Sequence, residues 1–491
     1  MKHNPHIILL LVSLLAAHAS EAQEIVVPQH DTAMLSSVVS SVSRHQSMKH
    51  ASLSVCVYNI TQSVPVYDYD SYRSLTPASV NKIFPIAVGF DQLTSKFRFK
   101  TSLLYSGDVD REGVLHGNVY IVGGGDPMLG SYRYRQTQPD SLFAAWLKVI
   151  KGMGIRAIDG RICYDASIFD NQPLCDSWQW GDVGNYYGSG AYGLNYHENM
   201  YFTYFNPGKK LGYPATVAGT KPKNVGVRNQ NEVITGGENS GDQVTVFGDP
   251  YTMLRSFRGS VPLGKNNFAV RASLPNPPDV CARMFSVYLR NNGINVSHNV
   301  SEVFGRQDSC KVMLEYESEN FYVVAQYANL TSNNIYVESI FKYLGYKRYG
   351  KGSFANGSRA VGDFFRIHNL ESSGVKIVDG CGLSRRNMVT TDFICRFLAE
   401  LARMPIYNDF SKSMAKAGEN GTVRNLLPGL PSNVTVRIKS GTMEGVKAYA
   451  GYVTTRSGDL LCFSVISNGH TCNSTEATRM LEKILYQVAK L

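Results

Sequence analysis

A serine and a lysine stand three positions apart in residues 76–82, which read TPASVNK. The apolar run behind them predicts a helix over about residues 79–93. Because residues i and i+3 lie on one face of a helix, the amine of Lys82 can reach the hydroxyl of Ser79. A serine hydroxyl attacks a carbonyl only after a base has removed its proton, and a neutral lysine is such a base. The spacing therefore predicts a nucleophile, Ser79, and its base, Lys82.

Two further segments carry the same kind of chemistry. Residues 332–334 read SNN, and residues 439–442 read KSGT on a predicted strand. With the first segment they match the SxxK, SxN and K[ST]G set of serine acyl-transfer enzymes. Each motif alone is weak, because SxxK occurs four times in the chain and a serine at a helix start is often only an N-cap. The order of the motifs and their local structure favour the catalytic interpretation of Ser79.

The motif residues predict a division of labour around Ser79. Burial and a nearby cation lower the pKa of a lysine from its usual value of about 10.4, and we expect Lys439 to be that cation for Lys82. We expect Ser332 to pass a proton toward the leaving nitrogen. Asn334 is expected to hold the substrate amide through both ends of its side chain.

The strand that carries KSGT is expected to bind the substrate along its edge, as an added strand. Gly441 allows a close approach of that backbone, and the hydroxyls of Ser440 and Thr442 are expected to bind a terminal carboxylate. The oxyanion of the reaction is expected to lie between the backbone N–H groups of Ser79 and Thr442.

Strand and helix patterns place the motifs in one domain of the α/β (α+β) class. Its predicted strands form a hairpin near the start and a group before a closing helix from Ser474: 53–58, 64–69, 434–439, 447–454 and 459–467. Residues 101–310 are rich in short strand patterns and are interpreted as one or more inserted β-rich domains. The insertion divides the first domain into residues 23–100 and 311–491.

The composition is typical of a globular protein, since 43% of the 491 residues are hydrophobic and 18% are charged. The net charge of +10 is spread without long runs, so a nucleic-acid-binding arm is not expected. This charge is compatible with contact to an anionic membrane or wall surface. Residues 1–22 combine Lys2, an apolar run and small residues up to Ala22, and they are predicted to be a cleaved signal peptide for export.

The nine cysteines form an odd set, so at least one thiol is unpaired. Cys163 and Cys175 are close enough in sequence to pair, although spacing does not fix connectivity. Cys56 and Cys462 lie in apolar strand-like runs and are predicted to be buried. The sequence has no CxxC, HExxH or GxSxG, and residues 259–266, GSVPLGKN, miss the phosphate-binding motif at the last position. A zinc cluster is therefore not expected.

On these motifs the sequence resembles class C penicillin-binding proteins of the D-alanyl-D-alanine carboxypeptidase/endopeptidase type, which have a large insert between the first two motifs. Three further segments resemble the same family: GGGDP at 123–127, DGCGLSR at 379–385, and VRI at 436–438, leading through KSGT to GYV at 451–453. The resemblance implies a penicillin-binding/β-lactamase-like transpeptidase domain, with an antiparallel sheet flanked by helices and a large β-rich insertion. It also implies a location in the bacterial periplasm or cell envelope, and chemistry that needs no metal or organic cofactor.

The resemblance further implies the substrate and its contacts. The substrates are peptidoglycan stem peptides ending in D-Ala-D-Ala, often also D-Ala–diaminopimelate cross-links, and β-lactam antibiotics are covalent inhibitors. Asp182 is expected near the amino end of the diaminopimelate side chain, Tyr187 holds an aromatic position of the family, and Arg385 is expected to face a substrate carboxylate. A surface ion pair or a core aromatic is the alternative for each. Cys381 replaces a usual serine, and Glu444 would repel a substrate carboxylate if it faced the pocket.

Two other functions are open alternatives. A β-lactamase on the same scaffold would turn penicillin over rapidly and would need a deacylating base, but the large insert argues against it. A non-catalytic wall-binding or sensing protein would be expected to have lost reactive side chains, yet all of them are present. The sequence leaves open whether a carboxypeptidase or an endopeptidase activity dominates.

Overall fold

The computed structural model describes residues 31–305 and 309–491, so the predicted signal peptide at 1–22 lies outside the described residues. The strands are β1 Ser52–Asn59, β2 Val64–Tyr69, β3 Arg98–Tyr105, β4 Asp108–Val109, β5 Val114–His116, β6 Val119–Val122, β7 Ala157–Ile158, β8 Ile162–Asp165, β9 Met200–Asn206, β10 Thr216–Lys221, β11 Arg228–Gly236, β12 Thr245–Phe247, β13 Leu254–Pro262, β14 Phe268–Ser273, β15 Asn295–Val296, β16 Ser301–Glu302, β17 Lys311–Asn320, β18 Ala415–Lys416, β19 Thr435–Met443, β20 Val446–Thr454 and β21 Leu460–Asn468. The α-helices are α1 Ala33–Arg44, α2 Ile83–Leu93, α3 Pro139–Gly152, α4 Trp180–Val183, α5 Pro277–Asn291, α6 Phe321–Thr331, α7 Asn334–Tyr349, α8 Phe354–Ile367, α9 Thr391–Leu401, α10 Tyr407–Ser413 and α11 Ser474–Val488. None of these helices combines the length and the apolar character that a bilayer crossing requires.

A six-stranded sheet of order β18-β19-β20-β21-β1-β2 joins the two ends of the chain. Its neighbouring strands all pair antiparallel. Val55 and Val57 belong to the core shared with α1 and α11, while Cys56 between them belongs to the core shared with α9, because side chains alternate along a strand. Helices therefore cover both faces of the sheet, which confirms the predicted α+β class.

Four smaller sheets build the middle of the chain, in the orders β16-β8-β6-β3-β17, β15-β7-β5-β4, β11-β13-β12 and β10-β9-β14. Their core is a separate cluster in which α3 and α5 meet, with the rings of Trp146 and Phe285 5.0 Å apart. Strand β17 pairs with β3, so the chain leaves this region only after Asn320. We therefore propose 98–320 as the bounds of the insertion in place of the predicted 101–310.

The cysteines are distributed among these separate cores. Cys56 and Cys462 are buried, as predicted, between the six-stranded sheet and α9. Cys163 and Cys175 form no disulfide, because Cys163 lies in a small cluster beside β6 whereas Cys175 packs in the core of the helical layer. The chain leaves the insertion's sheet at Asp165, so nearness in sequence does not become nearness in space.

Candidate active site

Ser79 lies in a 3-10 turn, Ala78–Lys82, that continues directly into α2. The helix predicted from residue 79 therefore has the expected location but a tighter first turn. Pro85 has no N–H to donate, so an α-helical bond from it to the carbonyl four residues earlier cannot form. Ala78 has a φ of 47°, which is a left-handed conformation that strains a residue with a Cβ.

Two glycines let neighbouring segments touch this turn. A Cβ on Gly441 would lie 3.0 Å from the backbone nitrogen of Ser79, and a Cβ on Gly382 would lie 1.9 Å from the carbonyl oxygen of Ala78. Gly441 thus admits the nucleophile's own turn, and its predicted contact with a substrate backbone stays a prediction. Strand β19 and the loop at 379–384 thus hold a strained turn, whose strain is about 1–3 kcal/mol, from two sides.

Lys82 connects the nucleophile to two other elements of the site. Its Nζ donates to Ser79 Oγ at 2.8 Å, to Asn334 Oδ1 at 2.8 Å and to the carbonyl oxygen of Cys381 at 2.5 Å. The side chain is fully buried, and burial lowers the pKa of Lys82, while the acidic groups of Cys381, Asp379 and Glu338 oppose that shift. A lowered pKa increases the fraction of lysine that can accept a proton.

A second serine–lysine pair faces the first. Lys439 Nζ donates to Ser332 Oγ at 2.9 Å and to the carbonyl oxygen of Ser440 at 2.8 Å. Its pKa lies well below the usual value, because the residue is buried and because the ammonium of Lys82 repels its charge. Ser332 occupies a left-handed position between α6 and α7, with φ of 55°. The three motifs therefore converge, with both lysines buried and close enough to interact.

The hydroxyls of Ser440 and Thr442 lie on the cavity side of β19, beyond the two residues at which β18 pairs with this strand. Thr442 Oγ1 accepts a hydrogen bond from Lys447 Nζ at 2.9 Å, and Ser440 Oγ lies 2.8 Å from Thr422 Oγ1. These groups, with Ser79, line an open cavity of about 460 Å³. Polar groups in a cavity beside a nucleophile are able to orient one end of a substrate.

A second cavity of about 500 Å³ also reaches Ser79, and its lining includes the three residues that the family resemblance added to the site, Asp182, Tyr187 and Arg385. Burial raises the pKa of Asp182, which accepts a hydrogen bond from the Tyr187 hydroxyl. Burial, and then the charge of Asp182, raise the pKa of Tyr187 to about 12. Asn334 Nδ2 donates to the carbonyl oxygen of Tyr187 at 2.7 Å, which connects the insertion to the SxN motif.

Glu444 lies at the rim of this second cavity. Its carboxylate is 97% exposed and 4.0 Å from the Arg385 guanidinium, which also donates to the Glu444 carbonyl oxygen at 3.2 Å. The sequence suggested that Glu444 would repel a substrate carboxylate if it faced the pocket. This repulsion is reduced, because the Glu444 carboxylate is hydrated and lies beside the Arg385 cation.

Two buried acids behind Lys82 were not predicted from the sequence. Glu338 accepts from the N–H groups of Gly380 at 3.1 Å and Cys381 at 2.7 Å, and Asp379 accepts from those of Gly382 and Ser384. Burial raises the pKa of Glu338 to about 7. A recognisable pattern was present, since Glu338 follows Asn334 by one helical turn and therefore shares its face.

Atoms of Glu338, Asp379 and Cys381 lie within 4.8 Å of one another, a spacing that a metal ion could bridge. Both carboxylates already accept backbone N–H groups, and the Lys82 ammonium is nearby. The arrangement fits a hydrogen-bonded support for the 379–384 loop better than it fits a metal site, because a cation would compete with these donors.

Ser339 and Lys342 form another SxxK match on a buried helix, but their side chains make different contacts from those of Ser79 and Lys82. Lys342 Nζ donates to Asp170 Oδ1 at 2.9 Å and to the carbonyl oxygen of Gln172 at 2.6 Å, while Ser339 Oγ accepts from Asn195. This pair therefore joins the helical layer to the insertion, and tertiary contacts distinguish it from Ser79 and Lys82.

The fold and these contacts define a serine hydrolase with a penicillin-binding-protein fold. The chain belongs to the D-Ala-D-Ala carboxypeptidase 3 (S13) family, whose model matches residues 35–490. A D-alanyl-D-alanine carboxypeptidase of Actinomadura sp. (strain R39) is 25% identical over 447 residues, which cover 88% of this chain and 80% of the relative. D-alanyl-D-alanine carboxypeptidase DacB of Haemophilus influenzae is 24% identical over 429 residues, covering 85% of this chain and 86% of the relative.

The crystal structure of penicillin binding protein 4 from Haemophilus influenzae matches with a TM-score of 0.79 at 22% identity, covering 92% of this chain and 99% of that chain. The same protein complexed with a β-lactam matches with a TM-score of 0.75. These findings confirm the predicted family and fold, and they confirm the enzyme class, a serine-type D-Ala-D-Ala carboxypeptidase.

Proposed function

We propose that this protein is an exported, penicillin-sensitive DD-peptidase that forms an acyl-enzyme on Ser79. The observation that carries the proposal is the 2.8 Å contact between Ser79 Oγ and the buried Lys82 Nζ, at the junction of two open cavities. Its substrates are D-Ala-D-Ala termini of peptidoglycan stem peptides, D-Ala–diaminopimelate cross-links, or both.

Acylation begins with transfer of the Ser79 proton to neutral Lys82. The Ser79 oxygen then bonds to the carbonyl carbon of the penultimate D-Ala, and the oxyanion lies between the N–H groups of Ser79 and Thr442. The contact of Gly441 with the backbone of Ser79 supports this arrangement, because it brings together the two backbone segments that carry these N–H donors.

The leaving nitrogen receives its proton from Ser332. Once Lys82 has become an ammonium, its repulsion makes Lys439 a stronger acid, and Lys439 donates to Ser332 at 2.9 Å. Ser332 thereby replaces the proton that it gives to the departing amine. Water then gives a proton through Ser332 to the now neutral Lys439 and bonds to the acyl carbon. The ester bond to Ser79 breaks as Lys82 returns its proton to the Ser79 oxygen, which restores both lysines.

Substrate recognition is divided between the two cavities. We propose that Ser440 and Thr442 bind the carboxylate of the leaving residue in the first cavity. In the second, Asp182 would meet the ammonium of a diaminopimelate side chain and Tyr187 would pack against it. Arg385 is suited to bind a carboxylate, because its side chain lines this cavity and is 37% exposed.

The predicted signal peptide and the peptidoglycan substrate together favour a location in the periplasm or cell envelope. The net charge of +10 supports contact with an anionic wall or membrane surface. A β-lactam bound to penicillin binding protein 4 of Haemophilus influenzae supports penicillin as a covalent probe of this chain.

Intact mass after incubation with benzylpenicillin tests the proposal, with residues 23–491 as the protein and Ser79→Ala as the comparison. We expect a stable adduct on the wild type alone, and release of D-Ala from a stem pentapeptide. Cross-linked muropeptides then measure the endopeptidase activity. A folded wild type that forms no adduct and leaves the drug intact would support a non-catalytic wall-binding role, and rapid consumption of the drug would support a β-lactamase.

A further inference from the structure

We propose that Lys447 is a specificity-determining residue, which selects substrates with a free carboxylate on the leaving amino acid. This inference rests on the proposed function and adds a residue outside the three motifs. Lys447 lies on β20, directly opposite Thr442 of β19 in the antiparallel pairing. Opposed side chains of paired strands lie on the same face, so the Lys447 ammonium and the Thr442 hydroxyl share the first cavity.

Four side chains on this face form one polar surface of the cavity. Ser440 lies opposite Tyr449 as Thr442 lies opposite Lys447, and all four line the cavity of about 460 Å³ together with Ser79. The cavity therefore extends from the nucleophile to a cation that is buried in the sheet. The ammonium is positioned for the end of the substrate that leaves, because the hydroxyls proposed to bind that end are its neighbours.

The hydrogen bonding of Lys447 leaves its charge available to a ligand. Its Nζ donates to Thr442 Oγ1 at 2.9 Å, and within residues 31–305 and 309–491 it forms no ion pair with a carboxylate. The residue is 7% exposed, and burial lowers the pKa of Lys447 to about 8, so the ammonium form is present at neutral pH. A buried ammonium without an anion is costly, and a bound carboxylate would relieve that cost.

Lys447 also orients the hydroxyl that would bind the same carboxylate. Because the ammonium donates to Thr442 Oγ1, the proton of that hydroxyl is free to point into the cavity. Lys447 and Thr442 would then present two donors to one carboxylate. A substrate whose leaving residue ends in an amide has no negative charge for this pair, and it would leave the lysine unpaired.

The test compares two peptides that differ only at the leaving residue, one ending in D-Ala-D-Ala and one in D-Ala-D-Ala amide. The measured quantity is the ratio of kcat/KM for the acid to kcat/KM for the amide. We expect Lys447→Met to lower this ratio at least about tenfold, mainly through KM, and Lys447→Arg to restore most of it. Lys483→Met is the matched control, because Lys483 is an exposed lysine on α11.

An equal loss for both peptides in Lys447→Met would overturn the proposal, since it would indicate a structural role. An unchanged ratio would also overturn it. Binding of the acid peptide to Ser79→Ala, measured by calorimetry with and without Lys447→Met, separates this inference from the proposed function. If Lys447→Met weakens binding of the acid peptide but not of the amide peptide, the proposed role of Lys447 is supported even if the wild type releases no D-Ala. A wild type that releases no D-Ala would count against the proposed peptidase function.

Discussion

The two walls of the cleft are built in different ways. On the wall formed by the six-stranded sheet and its helices, Lys82 and Lys439 are fully buried, and each Nζ donates to a serine hydroxyl and to a backbone carbonyl. On the wall formed by the insertion, Asp182 is half-buried and Tyr187 is 37% exposed. A hydrogen bond from Asn334 to the Tyr187 carbonyl joins the walls.

This difference separates reaction from selection. Groups that move protons need fixed distances, and the first wall supplies them through several hydrogen bonds per residue. Groups that distinguish substrates need contact with the ligand, and the second wall leaves its side chains partly exposed. We therefore expect changes to the buried proton-transfer groups of the first wall to slow acylation by every substrate. Changes to the second wall, or to Lys447 in the first cavity, should instead alter the choice of substrate.

The largest effect after loss of Ser79 is expected for Lys82→Met. We expect acylation by benzylpenicillin to slow about 10³-fold, because general-base catalysis contributes about 10²–10⁴-fold. Intact mass as a function of time measures the rate. Lys376→Met is the matched control, because Lys376 closes another SxxK match but is exposed. A loss smaller than about tenfold would remove Lys82 from the proton path.

Ser332→Ala is expected to reduce hydrolysis of a D-Ala-D-Ala peptide about 10²-fold, mainly in kcat, because the leaving nitrogen loses its proton donor. Release of D-Ala measures the effect. Ser297→Ala serves as the control, since Ser297 begins another SxN match and is exposed on the insertion. Activity close to wild type in Ser332→Ala would contradict the proposed relay from Lys439.

Glu338→Gln tests whether a buried carboxylate behind the first wall affects the protonation of Lys82. The carboxylate of Glu338 raises the pKa of Lys82, so removing its charge should move the acid limb of the acylation rate to lower pH. The rate falls as Lys82 takes up a proton, which then happens only in stronger acid. We also expect a loss of about 1–3 kcal/mol in the free energy of unfolding, because a single amide oxygen replaces a carboxylate that accepts two N–H groups.

The pH profile of acylation, measured with benzylpenicillin, and denaturant unfolding check these two expectations for Glu338→Gln. Glu371→Gln is the control, because Glu371 is exposed on the same domain. An acid limb at the wild-type position would show that Glu338 supports the 379–384 loop without acting on Lys82.

The smallest effect is expected on the insertion wall. Asp182→Asn should leave acylation by benzylpenicillin unchanged and lower kcat/KM about three- to tenfold for peptides with a diaminopimelate ammonium, because an exposed ion pair contributes only about 0.2–1 kcal/mol and a half-buried one somewhat more. The measurement compares kcat/KM for peptides that carry lysine in place of diaminopimelate with kcat/KM for peptides that carry acetyl-lysine, which has no ammonium. An equal loss for charged and acetylated peptides would exclude an ammonium partner for Asp182.

The sequence predicted the local elements of the fold well. The hairpin of β1 and β2, the three strands β19 to β21 and the closing helix α11 all lie within a few residues of the predicted bounds. These elements have clear periodicity and turn residues, which are local properties. The bounds of the insertion at 101–310 stay a prediction, and the bounds 98–320 that we propose rest on the pairing of β17 with β3, which the sequence did not indicate.

The site divides in a similar way. Residue types, i, i+3 spacing and the order of the three motifs pointed to Ser79 and Lys82, because one helical turn fixes the separation of the pair and the other two motifs distinguish it from the other SxxK matches. Glu338 was missed although it follows Asn334 by one helical turn, and Asp379 was noted only as part of the DGCGLSR segment, because neither pattern indicates that these acids lie behind Lys82. Lys447 was missed because only the pairing of β19 with β20 places it opposite Thr442.

The sequence by itself therefore determined which reactive groups this protein has and in what order, because motif residues and secondary-structure periodicity are local. The tertiary structure decided what surrounds them: that Lys82 and Lys439 are buried beside each other, that Gly441 contacts the turn of Ser79, and that Cys163 and Cys175 lie in separate cores. Periodicity shows that a face will be buried, but only the packing of distant segments decides which residue lies against it.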